Sequence, residues 1–232
     1  MSHPGSVRSA NEDAVLCRDE VQLWAVADGM GWHNRGDLAS STLVRHLERT
    51  DASPSLADAV DALEDSLLKA NLAVLNYAQT HFSGAIMGST FVAVLIRGSL
   101  GFVAWAGDSR LYRLRRGQLQ ALTRDHSRVQ ELADQGRLPE DSQAVGANII
   151  TRALGVDSFL PMDMTLFSAQ PRDTFLLCTD GLYNALDEQA IITGLSLEHN
   201  HLSCQYLQDA ALKAGANDNV SAVVLRAVPW SG

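Results

Sequence analysis

Cysteine is scarce in this chain: Cys17, Cys178 and Cys204 are the only three among 232 residues. The number is odd and no Cys-x-x-Cys pair occurs, so neither a disulfide framework nor a structural zinc site is expected, and a reducing cytoplasm is the expected compartment. Long apolar runs are missing as well. No stretch reaches the ~18 residues of a spanning helix, and residues 1–10 lack the apolar core of a signal peptide. Positive charge is short. Against 27 Asp and Glu stand 18 Lys and Arg, a net charge of −9, which leaves no electrostatic basis for holding a nucleic acid or an anionic membrane. Several chemistries also lack their signatures. No cysteine is followed six positions later by arginine, and no Asp-x-Asp-x-Thr, G-x-x-x-x-G-K-[ST], H-E-x-x-H or G-x-S-x-G is present.

What is present is an ordinary globular composition, 46% hydrophobic and 19% charged, in a chain long enough to bury one core. Residues 1–232 are expected to form a single domain. Residues 21–27 read as a buried strand, and 38–48 and 56–80 as helices, with Pro54 tolerated just ahead of the second. Residues 91–96, 100–106 and 110–116, followed by the stretch from Gln118, read as an antiparallel meander with Gly-containing turns. A helix over 126–135 ends at Gly136. The polar, Gly- and Pro-bearing segment 136–148 reads as a mobile surface stretch. Strands at 162–167 and 174–179, helices at 187–193 and 204–214, and a strand at 220–227 complete the chain. Hairpin-linked strands in blocks argue for antiparallel sheets covered by helices, an α+β arrangement rather than a βαβ wind.

Acid placement is the strongest chemical signal. Two buried runs, LWAVADGM and FLLCTDGL, each lead into Asp-Gly, at Asp28-Gly29 and Asp180-Gly181. Asp13 and Asp218 each stand just before an apolar run. Such carboxylates, gathered at one rim of a sandwich, repel one another unless a cation lies among them. Oxygen ligands suit Mg²⁺ or Mn²⁺. Asp-Gly is also ordinary turn chemistry. The wider context extends the pattern: Arg8-x-x-Asn11-Glu12-Asp13, Asp28-Gly29-Met30-Gly31, Gly88-Ser89-Thr90, Gly107-Asp108-Ser109-Arg110, Thr123-x-Asp125-His126-Ser127, Thr151-Arg152-Ala153-Leu154-Gly155, Thr179-Asp180-Gly181 and Asp218-Asn219-Val220-Ser221. In that order the motifs resemble the metal-dependent protein phosphatase family (type 2C) in its compact bacterial form, over nearly the whole chain.

The resemblance implies a four-layer α/β/β/α sandwich of two mostly antiparallel sheets flanked by helix pairs, with the active site in the cleft between the sheets. It implies hydrolysis of phosphoserine and phosphothreonine by a water held between two Mn²⁺ or Mg²⁺ ions. Asp28 would bridge both ions, Gly29 would lend its carbonyl, and Asp180 and Asp218 would complete the first sphere. Asp13 would serve the second ion, and Arg8 would hold the substrate phosphate. Asp108 would hold a weaker third ion, although Gly-Asp-Ser on its own reads as a hairpin turn. Glu12, His33 and Asn219 stand beside these positions as candidates to support them or to act as the acid. His33 suits proton donation through its pKa. Residues 124–148 match a variable flap. The chain departs from the pattern at Trp32, where bacterial members carry a small residue, and at Met30, where animal members carry histidine. Phosphoproteins and a bacterial Ser/Thr kinase are the implied partners, and a monomer is expected. A catalytically silent relative that binds a phosphoprotein is the alternative.

Overall fold

The computed structural model describes residues 1–31, 35–53, 55–83, 85–137 and 149–228. In chain order the strands are β1 (Ser2–His3), β2 (Asp13–Arg18), β3 (Leu23–Gly31), β4 (Met87–Arg97), β5 (Leu100–Ala106), β6 (Arg110–Arg115), β7 (Gln118–Ala121), β8 (Asp163–Ser168), β9 (Thr174–Cys178) and β10 (Val220–Arg226). The helices are α1 (Gly36–Leu47), α2 (Leu56–His81), α3 (Arg128–Asp134), α4 (Asp180–Tyr183), α5 (Glu188–Leu195) and α6 (Asn200–Lys213).

The strands form two five-stranded sheets, ordered β2-β3-β4-β5-β8 and β1-β10-β9-β6-β7. Every pairing between named strands is antiparallel. Alternation along each strand sends one set of side chains to each face. Val26, Val92, Val94, Val103, Leu111, Phe175, Leu177 and Val223 therefore meet between the sheets. On the outer face of the first sheet, Ala25, Ala27, Phe91 and Ala93 pack against Leu43 and Leu47 of α1 and Leu63 and Leu67 of α2. On the outer face of the second, Leu176 and Val224 pack against Ile191 of α5 and Leu207 of α6. This is the expected four-layer α/β/β/α sandwich.

Three helices begin on local caps. Ser55 accepts from the Asp58 backbone N–H at 3.1 Å at the start of α2, Ser127 from Gln130 at the start of α3, and Asp187 from Ala190 at 2.7 Å at the start of α5. Pro54 lies outside the described residues. Helix α1 has no local side-chain cap. Glu12 supplies one from afar, its Oε1 accepting the Gly36 N–H at 2.8 Å, which satisfies an orphan donor where the helix dipole favours an anion.

Four readings need correction. The meander breaks after β5, because β5 and β6 belong to different sheets. Residues 107–109 carry the chain across the sandwich, so Asp108 is in a crossover and not a hairpin turn. Gly107 makes that crossing possible: its φ is +101°, and a Cβ there would lie 2.5 Å from the Thr90 side chain. Neither Asp-Gly pair closes a turn: Asp28-Gly29 lies inside β3, which continues to Gly31 paired with β4, and Asp180 opens the one-turn helix α4. Trp24, within the run 21–27 read as a buried strand, is only half-buried and donates through Nε1 to Asp19 at 2.8 Å. Of the expected mobile segment, residues 138–148 lie outside the described residues.

Candidate active site

Strand pairing brings the acids together. Asp13, the first residue of β2, is the direct cross-strand partner of Asp28 in β3. Like charges directly opposed in a sheet destabilise the pairing unless something offsets them. From the second sheet, Asp180 enters at the end of β9 and Asp218 just ahead of β10. Asp108 enters from the crossover. All five are half-buried at the same rim of the sandwich.

Their electrostatics are strained in one direction. Burial pushes Asp28 well above the ordinary carboxylate range, and Asp13, Asp180, Asp108 and Asp218 push it further. Burial and the charges of Asp180 and Asp218 raise Asp13 to about 7 against the hydrogen bonds it accepts. Burial, then Asp180 and Asp125, raise Asp108 to about 7. Asp180 is raised by burial and by Asp218. Among the described residues, Asp13 Oδ1 and Asp108 Oδ1 are buried without a hydrogen-bond partner, and a buried unpaired carboxylate oxygen is costly. An all-oxygen set of mutually repelling carboxylates with orphaned oxygens fits a hard divalent cation. As arranged here, no three His, Cys, Asp or Glu side chains among the described residues form a ready ligand set. Protein donors already occupy part of the cluster: Arg8 Nη2 donates to Asp218 Oδ2 at 2.8 Å, and Thr179 Oγ1 to Asp13 Oδ2 at 2.9 Å.

The supporting contacts give each acid its place. Gly29 lies so close to α1 that a Cβ would sit 2.1 Å from the Gly36 carbonyl oxygen and 2.6 Å from that of Glu12. Glu12 ties this junction twice more, its carbonyl accepting from the Gly29 N–H at 3.1 Å and from Ser40 Oγ at 2.6 Å. Thr179 Oγ1 also accepts from the Ser221 N–H. Asn219 accepts from the Glu12 N–H at 2.8 Å and donates to the carbonyls of Pro4 and Ala10, each at 3.0 Å. It pins the N-terminal segment that carries Arg8 and Asp13. Tyr183 Oη donates to the Asp108 carbonyl at 3.0 Å. The Arg110 guanidinium lies 3.6 Å over the Tyr183 ring and is held by both oxygens of Asp125 at 2.8 and 2.7 Å. Trp32 and His33 lie outside the described residues. Thr179 was read in its motif without a role, and Tyr183 was missed in the sequence. Each is adjacent to or within a turn of Asp180, and that proximity was the available signal.

A sandwich that gathers five aspartates from both sheets at one rim offers an all-oxygen donor set of the kind that hard divalent cations take. The chain belongs to the protein phosphatase 2C family, whose sequence profile matches residues 5–220. It is 33% identical over 231 residues to the serine/threonine protein phosphatase PstP of Mycobacterium tuberculosis, covering 99% of this chain and 44% of that protein. The chain thus spans under half the length of this curated relative. Among solved structures, PppA, described as a key regulatory component of T6SS in Pseudomonas aeruginosa, superposes with a TM-score of 0.90 at 42% identity, over 97% of this chain and 95% of that one. The catalytic domain of PstP in complex with two manganese ions superposes with a TM-score of 0.88 at 33% identity, over 99% and 96%. Among the described residues no helix is long and apolar enough to cross a membrane.

Proposed function

We propose that this chain is a metal-dependent protein phosphatase that hydrolyses phosphoserine and phosphothreonine in proteins, opposing a Ser/Thr kinase. The observation that carries the reading is the in-register pair Asp13 and Asp28, joined at one rim by Asp108, Asp180 and Asp218. Five acids in mutual repulsion, two of them with an orphaned oxygen, form a site built for cations. When bound, two Mn²⁺ or Mg²⁺ ions would supply the positive charge that a phosphomonoester needs and an activated water for in-line attack. Asp28, Asp180 and Asp218 would hold the first ion and Asp28 and Asp13 the second, with the Gly29 carbonyl on one of the two. Asp108 would hold a third, weaker ion.

The chain's own groups do the rest. Arg8 is 53% exposed on its side chain and shares Asp218. With Asp218 serving as a cation ligand, the Arg8 guanidinium would be free to grip two phosphate oxygens in its planar fork. Thr179 orients Asp13, and Tyr183 fixes the backbone of Asp108. Glu12 holds α1 against Gly29 and so keeps the Gly29 carbonyl in place.

Hydrolysis of a phosphothreonine peptide in H₂¹⁸O tests the reaction type under single turnover with Mn²⁺. One ¹⁸O in the released phosphate, with no phosphoryl-enzyme trapped on acid quench, is expected for direct attack by water. A trapped phosphoryl-enzyme would exclude it.

A further inference from the structure

We propose that the arginine-lined groove on the β6–β7 hairpin is a second phosphate site, which binds a further phosphorylated residue of the phosphoprotein whose scissile phosphate enters the acidic cleft. The proposal rests on the phosphatase reading of that cleft for its substrate class, but the groove stands on its own contacts.

The groove measures about 560 Å³ and is lined by Arg113, Arg115, Arg116, Gln118, Gln120 and Glu188, among others. Three guanidiniums within four residues are a marked local excess in a chain of net charge −9. Among the described residues, two of the three have no ion-pair partner to neutralise them. Arg115 is held by both oxygens of Asp173, at 2.7 and 2.6 Å. Arg113 meets only neutral acceptors, Gln120 Oε1 at 2.6 Å and the Ser168 carbonyl at 3.3 Å, and its Nε is buried without a partner. Arg116 is exposed at the turn and makes no ion pair among the described residues. Glu188 is the one carboxylate in the lining, against two unneutralised cations. Burial and the neighbouring Arg115 lower the pKa of Arg113, so an anion alongside would relieve a charge that the fold disfavours. A tetrahedral phosphate matches two guanidinium forks and the Gln118 and Gln120 amides better than a single carboxylate does.

Geometry sets a spacing rule. Asp108 lies in the crossover just ahead of β6, and Arg113 lies three residues along that strand from Arg110, about 10 Å at ~3.3 Å per residue. A peptide reaching both sites must separate its phosphates by at least about three residues.

The test uses three phosphothreonine peptides: one without a second charge, one with a non-hydrolysable phosphonate residue eight positions away, and one with it two positions away. The wild-type chain is expected to show a KM about tenfold lower for the eight-residue spacing than for the other two, a loss or gain of ~1.4 kcal/mol. In the Arg113→Gln/Arg116→Gln variant the advantage should disappear, and Arg116→Gln alone, at an exposed side chain, should remove part of it. Hydrolysis of p-nitrophenyl phosphate should stay within about twofold throughout, and 0.5 M salt should erase the advantage in the wild type. Fluorescence anisotropy of the same peptides separates the two readings. If no protein hydrolyses any substrate but the double variant still loses long-spaced binding, the cleft assignment fails and the groove stands. An equal advantage in wild type and double variant, none in the wild type, or tighter binding of a single-stranded oligonucleotide than of the phosphonate peptide would overturn the proposal.

Discussion

At the scale of single residues, the account divides labour between groups that hold charge and groups that aim it. Arg8 contacts Asp218 through one exposed ion pair, and surface pairs of this kind contribute ~0–1 kcal/mol to stability. Arg8→Ala should therefore leave the melting temperature nearly unchanged while raising KM for a phosphopeptide about tenfold, with a smaller effect on kcat. Steady-state kinetics at saturating Mn²⁺ check this, and an unchanged KM counts against phosphate binding by Arg8. Asp108 separates two roles. If it serves a third cation that helps protonate the leaving group, Asp108→Ala should fold, and it should lose kcat on a phosphothreonine peptide at least about tenfold more than on an activated aryl phosphate. Equal losses on both substrates would remove that role. Most of the acids were legible because each stands in a recognisable motif, and their strand-end positions already suggested a shared rim. The contacts that set their spacing were not legible, because these depend on the register that sets Asp13 opposite Asp28 and on the crossover at Gly107. Thr179 stands in the motif with Asp180 but Tyr183 stands in none, and only the fold aims them at Asp13 and Asp108.

At the scale of elements, the junction of β2, β3 and α1 sets the position of the Asp28 carboxylate. Gly29 is required there by contact and not by its φ, since the carbonyls of Gly36 and Glu12 occupy the space of a Cβ. Gly29→Ala must push α1 away from β3, and overpacking of this kind costs about 1–3 kcal/mol. The variant should melt several degrees lower and bind Mn²⁺ more weakly. Calorimetry of both properties checks the link, and an unchanged Mn²⁺ affinity in a destabilised protein would separate the junction from the site. The same scale explains which elements could be seen in the sequence. Strands β4 and β5 and helices α1 and α2 were legible within a few residues, because burial imposes periods of 2 and 3.6 on long apolar runs. The two-residue β1 carries no such pattern and exists because Ser2 and His3 pair with β10. Sheet membership of β6 was hidden as well, since a Gly-Asp-Ser segment reads as a hairpin whether or not the chain changes sheets.

At the scale of the whole molecule, the acid rim is a liability that a bound cation would turn into stability. Asp13 and Asp108 are raised to about 7, and Asp28 and Asp180 are raised in the same direction. In a metal-free protein the folded state therefore keeps protons that the unfolded state has released between pH ~4 and ~7. More protons bound in the folded state means that stability falls as pH rises through that window, by a few kcal/mol in order of magnitude. Asp173 acts in the opposite sense: burial alone would raise it, yet Arg115 holds it below the ordinary range, so its contribution is lost only as pH falls below ~4. Urea unfolding in chelator should thus be most resistant near pH 4–5 and weaker at pH 8. Added Mn²⁺ should stabilise far more at pH 8, where the ligands are ionised, than at pH 5. Metal-free stability that rises steadily from pH 5 to pH 8 would contradict the proximity of these charges.

The central claim is that the aspartate rim is a cation site for phosphoester hydrolysis. Phosphate release from a phosphothreonine peptide, by chelator-stripped protein before and after Mn²⁺ is restored, tests it most directly, with Asp28→Ala beside the wild type. The account predicts no release without metal and recovery with it. It also predicts a folded Asp28→Ala variant at least about a hundredfold slower, because one residue would serve both ions. Full turnover by the stripped wild type, or near-normal turnover by Asp28→Ala, would contradict it.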